Sequence, residues 1–262
     1  MRRMNLRRSA FFALLGLALL FAGARAHAAR GIVSLDLCTD WMLLKFADSS
    51  QVRAYSPLLY KYQADWVPDG LPVHDGSLEH ILQLDAGLLI SGEYNAILLR
   101  KRLQQLGKQV AVLSLPSTLD GIRRYQDEFF ELIDAKPGAS TVDWDRTYAP
   151  RRESLLLLGP NGIGTGANTL ENDLLRKAGW DNYIEASGYV SLRMERIVAE
   201  PPDAIYSSAP LSNSLANLFI RHPAIQSLMA DGGTARAEDW RWECPGPWSL
   251  ELIQELAAWK GS

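Results

Sequence analysis

Twice along the chain, short apolar runs of strand character alternate with helical segments of about ten residues, and this rhythm restricts the fold more than any single residue does. Strands spaced by helices of that length pair in parallel through crossover connections. The first set has strands at 31–36, 51–55, 86–91 and 110–113. Helices between them cover 39–47, with Thr39 or Asp40 as N-cap, a short segment opened by Ser77, and 98–106, closed by Gly107; these are the residue types that start and stop helices. After Pro116, Ser117 can cap a long helix over 118–135, in which Leu119, Ile122, Tyr125, Phe129, Leu132 and Ile133 keep helical spacing. The second set has strands at 155–158, 204–207 and 235–237, helices at 170–178, 194–199, 215–220 and 224–228, and a terminal helix at 248–259. The predicted fold class is α/β: two small lobes with mainly parallel sheets, joined by one long interlobe helix, with a ligand cleft between the lobes. The expected boundaries are a leader at 1–28, an N-terminal lobe at 29–117, the interlobe helix at 118–145 and a C-terminal lobe at 146–262.

The leader changes what the net charge means. Residues 1–28 hold Arg2, Arg3, Arg7, Arg8 and Arg25 and no acid, with an apolar run at 10–24 and small-x-small sites ending at Ala26 and Ala28. That is the pattern of a secretory signal peptide, and its apolar run is shorter than the roughly 20 residues needed to span hydrocarbon. Cleavage is expected after Ala26 or Ala28, and the periplasm is the expected compartment. Without these arginines the 27 Lys+Arg fall to 22 against 30 Asp+Glu, so the formal charge moves from −3 to −8. A surface of that balance offers nothing to nucleic acid or anionic lipid. In an oxidising compartment Cys38 and Cys244, the two cysteines of the chain, can form a disulfide; two separate buried thiols or ligation of a metal are the other readings.

Few residues carry a catalytic pattern. Gly159, Gly162, Gly164 and Gly166 sit between a strand and a helix, with Glu185 further on. Their intervals and Pro160 do not fit the dinucleotide fingerprint, so a glycine-rich connection is the expectation. His74, Asp75, Glu79 and His80 are close in sequence, but His80 falls on the polar face of its helix and no second cluster supplies partners. No Gly-x-Ser-x-Gly elbow is present. Aromatic grouping is the stronger signal. Tyr60 and Trp66 lie in the irregular stretch 56–73, and Trp240, Trp242 and Trp248 surround Arg241, Cys244 and a Pro-Gly-Pro turn. Rings grouped in loops cover an apolar surface; Trp248 is assigned to packing, and Trp240 and Trp242 to a ligand wall.

Three segments together resemble the class III periplasmic substrate-binding proteins of ABC importers, the cobalamin, iron-siderophore and haem binders, with the cobalamin-type subgroup nearest. They are Ile-Val-Ser-Leu-Asp-Leu-Cys-Thr-Asp at 32–40, Ser-Leu-Glu-His-Ile-Leu-Gln-Leu at 77–84 running into the strand to residue 90, and Met-Glu-Arg-Ile-Val-Ala-Glu-Pro-Pro-Asp-Ala-Ile at 194–205. Ala86 and Gly87 stand where the family usually has Pro-Asp. The resemblance implies a bilobed, non-enzymatic, monomeric receptor without a resident cofactor, delivering a metal chelate to a membrane permease. It also implies that Glu79 and Glu195, one on each lobe, dock on the permease. With ligands expected at the carboxyl ends of strands, Tyr55, Tyr60, Trp66, Tyr94, Trp240 and Trp242 would enclose the chelate, Asp36, Asp40, Glu93 and Arg241 would anchor it, and Cys38 would border it. The competing expectations are a periplasmic hydrolase, with paired titratable groups in the cleft, and a free-metal-ion receptor, with His80 and carboxylates buried between the lobes.

Overall fold

The computed structural model describes residues 31–61, 64–135, 143–208, 214–230 and 240–259. The leader with its cleavage sites, residues 136–142 of the expected interlobe segment, the strand expected at 235–237 and the side chain of Trp240 lie outside the described residues.

The N-terminal lobe runs β1 (Ile32–Ser34), α1 (Leu37–Phe46), β2 (Val52–Ala54), α2 (Leu58–Lys61), α3 (Leu78–Gln83), β3 (Leu88–Gly92), α4 (Ile97–Gln105) and β4 (Val110–Leu113). Its sheet has the order β2-β1-β3-β4, and every pairing is parallel. Alternation along β3 divides the core between the two faces of the sheet. Leu88 and Ile90 join the cluster of Trp41, Met42 and Phe129, whereas Leu89 packs with Val33, Ile81 and Leu103. A strand apolar on both faces is what a sheet covered by helices on both sides requires.

The interlobe helix α5 (Leu119–Leu132) is opened by Thr118, whose hydroxyl accepts the Gly121 N–H at 3.0 Å, one residue after the expected cap. Asp134 takes a left-handed φ of 51°, and the helix stops before it. Its 14 residues span about 21 Å. Ile122 packs into the C-terminal core, and Tyr125 and Phe129 into the N-terminal core. One helix face thus belongs to both lobes.

The C-terminal lobe contains β5 (Ser154–Leu158), β6 (Ile163–Thr165), α6 (Leu170–Lys177), β7 (Asp181–Asn182), β8 (Tyr189–Ser191), α7 (Met194–Ala199), β9 (Ala204–Ser207), α8 (Pro223–Ala230), α9 (Trp240–Glu243) and α10 (Ser249–Ala258). Leu155 and Leu157 face the cluster built on α6 and α10, and Leu156 and Leu158 face Ile197 of α7 and Ile225 of α8. The sheet departs from the parallel expectation. β7 and β9 run parallel to β5, but β6 returns antiparallel to it and β8 pairs antiparallel with β6. The glycine-rich stretch is therefore a tight strand-to-strand return and not an open loop. Gly162, at φ +67°, faces the Phe219 ring, and Gly166 lies against the Ala186 carbonyl, leaving no room for a Cβ at either position.

Cys38 and Cys244 are joined, with Cα atoms 5.1 Å apart. The bond ties the first turn of α1 to the segment just after α9, and so ties the lobes. Cys244 and Trp248 belong to the N-terminal core cluster, although α10, which follows them, packs on the C-terminal sheet.

Candidate ligand cleft

Below the carboxyl ends of β1, β2 and β3 lies a layer of polar side chains, Ser34, Asp36, Thr39, Asp40, Ser56, His74 and Ser91, none more than 2% exposed. Polar groups are stable at that depth when they are hydrogen-bonded. Asp36 caps α1 by accepting the Cys38 and Thr39 N–H groups at 3.0 and 3.1 Å, and its second oxygen takes the Gly92 N–H. Burial pushes its carboxyl up, against the pull of those three donors. Asp40 accepts both the N–H and the hydroxyl of Ser56, at 2.8 and 2.6 Å; burial, with Asp36 adding a smaller push, raises its pKa to about 7. His74 Nε2 lies 2.8 Å from the Ser34 carbonyl and its Nδ1 accepts the Gly76 N–H at 3.0 Å, so the ring is fixed as one neutral tautomer, and burial lowers its pKa. Asp36 and Asp40, expected as ligand anchors, therefore face into the lobe. Their oxygens hold together the loops that end the strands.

One of those loops forms the N-terminal wall of the cleft. Asp36 fixes Gly92 from below, and the Arg100 guanidinium donates to the Gly92 and Glu93 carbonyls at 2.8 and 2.7 Å. The Glu93 carboxylate accepts the Leu115 N–H at 2.7 Å, so this expected anchor ties the end of β3 to the chain after β4. The next residue, Tyr94, is 71% exposed on this fixed base. Across the cleft, Thr169 caps α6 and the Glu171 carboxylate in its first turn accepts the Tyr189 hydroxyl at 3.2 Å. Tyr189 is also well exposed, and burial together with Glu171 raises its phenol to about 12.

Tyr94, Leu115, Pro116 and Ser117 from one lobe, and Asn168 to Glu171, Leu174 and Tyr189 from the other, line a cavity of about 380 Å³. Arg241, Trp242, Glu243 and Pro245 form its third side. Glu171, Trp242 and Glu243 also line an adjoining cavity of about 190 Å³ with Leu157, Pro160, Thr165 and Ser208. Of the expected ligand residues, the structure brings Tyr94, Arg241 and Trp242 to the cleft. Arg241 is 7% exposed and forms two bonds to Glu255, at 3.0 and 2.8 Å.

Other expected residues sit elsewhere. Tyr55 is buried in the N-terminal core, where desolvation raises its phenol to about 12. The Tyr60 hydroxyl accepts the Leu71 N–H at 2.7 Å and closes its own loop. Trp66 packs against Trp41 at 6.3 Å, beneath the Lys45 ammonium. These rings pack at the edge of the N-terminal core. Cys38 is bonded to Cys244, which lies between the cleft-lining Glu243 and Pro245. Sequence reasoning missed Glu171 and Tyr189. The one available signal for Glu171 was its place in the first turn after a capped, glycine-rich approach. Glu79 and Glu195 are each exposed in the first turn of a short helix, α3 and α7. Among the described residues no group of three or more His, Cys, Asp or Glu is placed to hold a metal ion.

No family model matches the sequence, and no curated protein does. Solved structures match closely in fold. A possible iron-binding (periplasmic solute-binding) protein from Staphylococcus epidermidis is 18% identical with a TM-score of 0.67, covering 87% of this chain and 98% of that one. The periplasmic haem-binding protein HutB of Vibrio cholerae is 19% identical with a TM-score of 0.65, over 87% and 97% of the two chains. The periplasmic vitamin B12 binding protein BtuF of Vibrio cholerae is 16% identical with a TM-score of 0.53, over 88% and 96%. The chain has the bilobed α/β fold of these periplasmic binding proteins.

Proposed function

We propose that the protein is the periplasmic, non-enzymatic substrate-binding component of an ABC importer, capturing a metal chelate of the cobalamin, iron-siderophore or haem type and handing it to the membrane permease. The observation that carries this reading is the cleft itself. Two exposed tyrosines of opposite lobes, Tyr94 on the loop after β3 and Tyr189 at the start of β8, and a tryptophan on the third side surround a space suited to the apolar body of a chelate. The fold shared with solute-binding proteins for iron, haem and vitamin B12 supports it. Glu79 and Glu195 are proposed as permease contacts, since two separated carboxylates orient the receptor on a basic partner and speed encounter. No specific observation favours a hydrolase or a free-metal-ion receptor.

Thermal shift and visible absorption with cyanocobalamin, haemin and ferric siderophores test the reading. A bound chelate stabilises the folded state by mass action, by about 2.7 kcal/mol at a hundred times the Kd, and so raises the melting temperature. If none of them does so, the proposal fails. Reversing both Glu79 and Glu195 to Lys is expected to abolish uptake with ligand affinity intact; loss of affinity would remove those residues from the permease surface.

A further inference from the structure

Resting on the chelate-receptor reading, we infer that the cleft selects chelates whose periphery is neutral or cationic, bearing hydrogen-bonding arms such as amides, and turns away polyanionic ones, with Glu171 as the specificity-determining residue. Among the described residues, the charged side chains lining the two adjoining cavities are Glu171, Glu243 and Arg241. Arg241 is the one cation, and it is bonded twice to Glu255, with Glu251 at 4.0 Å. Glu255 matches its charge, which leaves the Glu171 carboxylate, bonded by the Tyr189 hydroxyl, to set the charge at that wall. The N-terminus of α6 opposes this trend with its partial positive charge. That charge is answered by Glu171 and Asp173 within the same first turn and by the Thr169 cap.

The neighbours of Glu171 point the same way. The Tyr189 hydroxyl donates to the carboxylate, an arrangement that favours the neutral phenol and disfavours the phenolate a ferric ion would take as a ligand. Thr165 and Trp242 line the side cavity beside Glu171. A cavity of about 190 Å³ holds an arm of a few heavy atoms, given the ~30 Å³ that one water occupies in the liquid. A carboxylate on its wall suits an amide, a hydroxyl or an ammonium. A carboxylate or catecholate arm there would meet the like charge of Glu171.

The test is the Kd of the purified protein, by tryptophan quenching, for four chelates of graded charge: ferrioxamine B, a monocation; cyanocobalamin, neutral; and the anionic haemin and ferric enterobactin. Ferrioxamine B or cyanocobalamin is expected to bind at least about tenfold tighter than either anion. Glu171→Gln should weaken ferrioxamine B about three- to tenfold and strengthen the anions, with cyanocobalamin changed less. Tyr189→Phe, which removes the hydroxyl donated to Glu171, should sharpen the preference for the cation. Tighter binding of haemin or ferric enterobactin overturns the inference and leaves the chelate receptor standing. A Glu171→Gln protein with unchanged ratios removes Glu171 from the specificity role. If none of the four binds, both readings fall.

Discussion

Asp36 is an aspartate after a strand, and such a residue serves equally as a ligand anchor and as a helix cap. The sequence motif is the same in both cases, which is why its role was not legible. What decides is the third bond, to Gly92, which depends on β3 lying beside β1. Asp36→Ala removes a cap worth about 1 kcal/mol and strands the buried Gly92 N–H at a further 1–3. The expected loss is about 2–4 kcal/mol in urea unfolding, with weaker ligand binding because the Tyr94 loop loses its base. Asp40 makes a prediction in pH. Its folded pKa, about 7, is above the ordinary 3.8, so folding favours the protonated form. Its contribution to stability is complete below about pH 4 and is lost as the pH rises through about 7. His74, with its pKa lowered, has the opposite dependence: it favours folding above its ordinary range and loses that contribution as the pH falls through the folded value. Asp40→Asn is therefore expected to flatten the decline in melting temperature between about pH 4 and 7, and to leave the opposing dependence of His74 in place. An unchanged slope over that window would mean that Asp40 titrates as in water.

Elements were legible where local pattern and tertiary role agree. The four parallel strands of the N-terminal lobe are apolar runs between amphipathic helices, and β4 lies where periodicity puts it, at Val110–Leu113. α7 likewise matches its expected bounds, Met194–Ala199. The strands β6, β7 and β8 have two or three residues each, and β6 contains Gly164, a poor strand former. Pairing with β5 and with each other creates them, and no local signal announces that. The same holds for the cleft. Tyr94 and Trp242 stand out as aromatics in loops, but Glu171 and Tyr189 meet only because the chain before α6 pairs with the chain before β8, Ala167 with Ser187. At this scale the interlobe helix carries a sharp expectation. Phe129 is fully buried in the N-terminal core, two turns after Ile122 in the C-terminal core. Phe129→Ala should cost about 3–5 kcal/mol. It should also loosen both lobes together, seen as hydrogen exchange rising in β3 and in β5. Exchange confined to β3 would show that the helix does not couple the two cores.

The whole molecule is held at its waist three ways: by α5, by Trp248 seated in the opposite lobe's core, and by the Cys38–Cys244 bond. Ligand capture should accordingly proceed with small closure. The radius of gyration measured by small-angle scattering is expected to stay the same within error when a chelate binds, and a contraction of several ångströms would contradict this. The bond should contribute roughly 2–5 kcal/mol, and the Cys38→Ser, Cys244→Ser double variant should still fold, since each sheet has its own cores on both faces. The disulfide has one more consequence, of connectivity. It closes all but the two ends of the chain into a single covalent ring, spanning a sequence separation of 206. A protease that cuts once anywhere inside that ring opens it into a line without separating it into pieces. A nicked molecule should run as one species on a gel without reductant and as two fragments with it, keeping both lobes and the cleft between them in one particle.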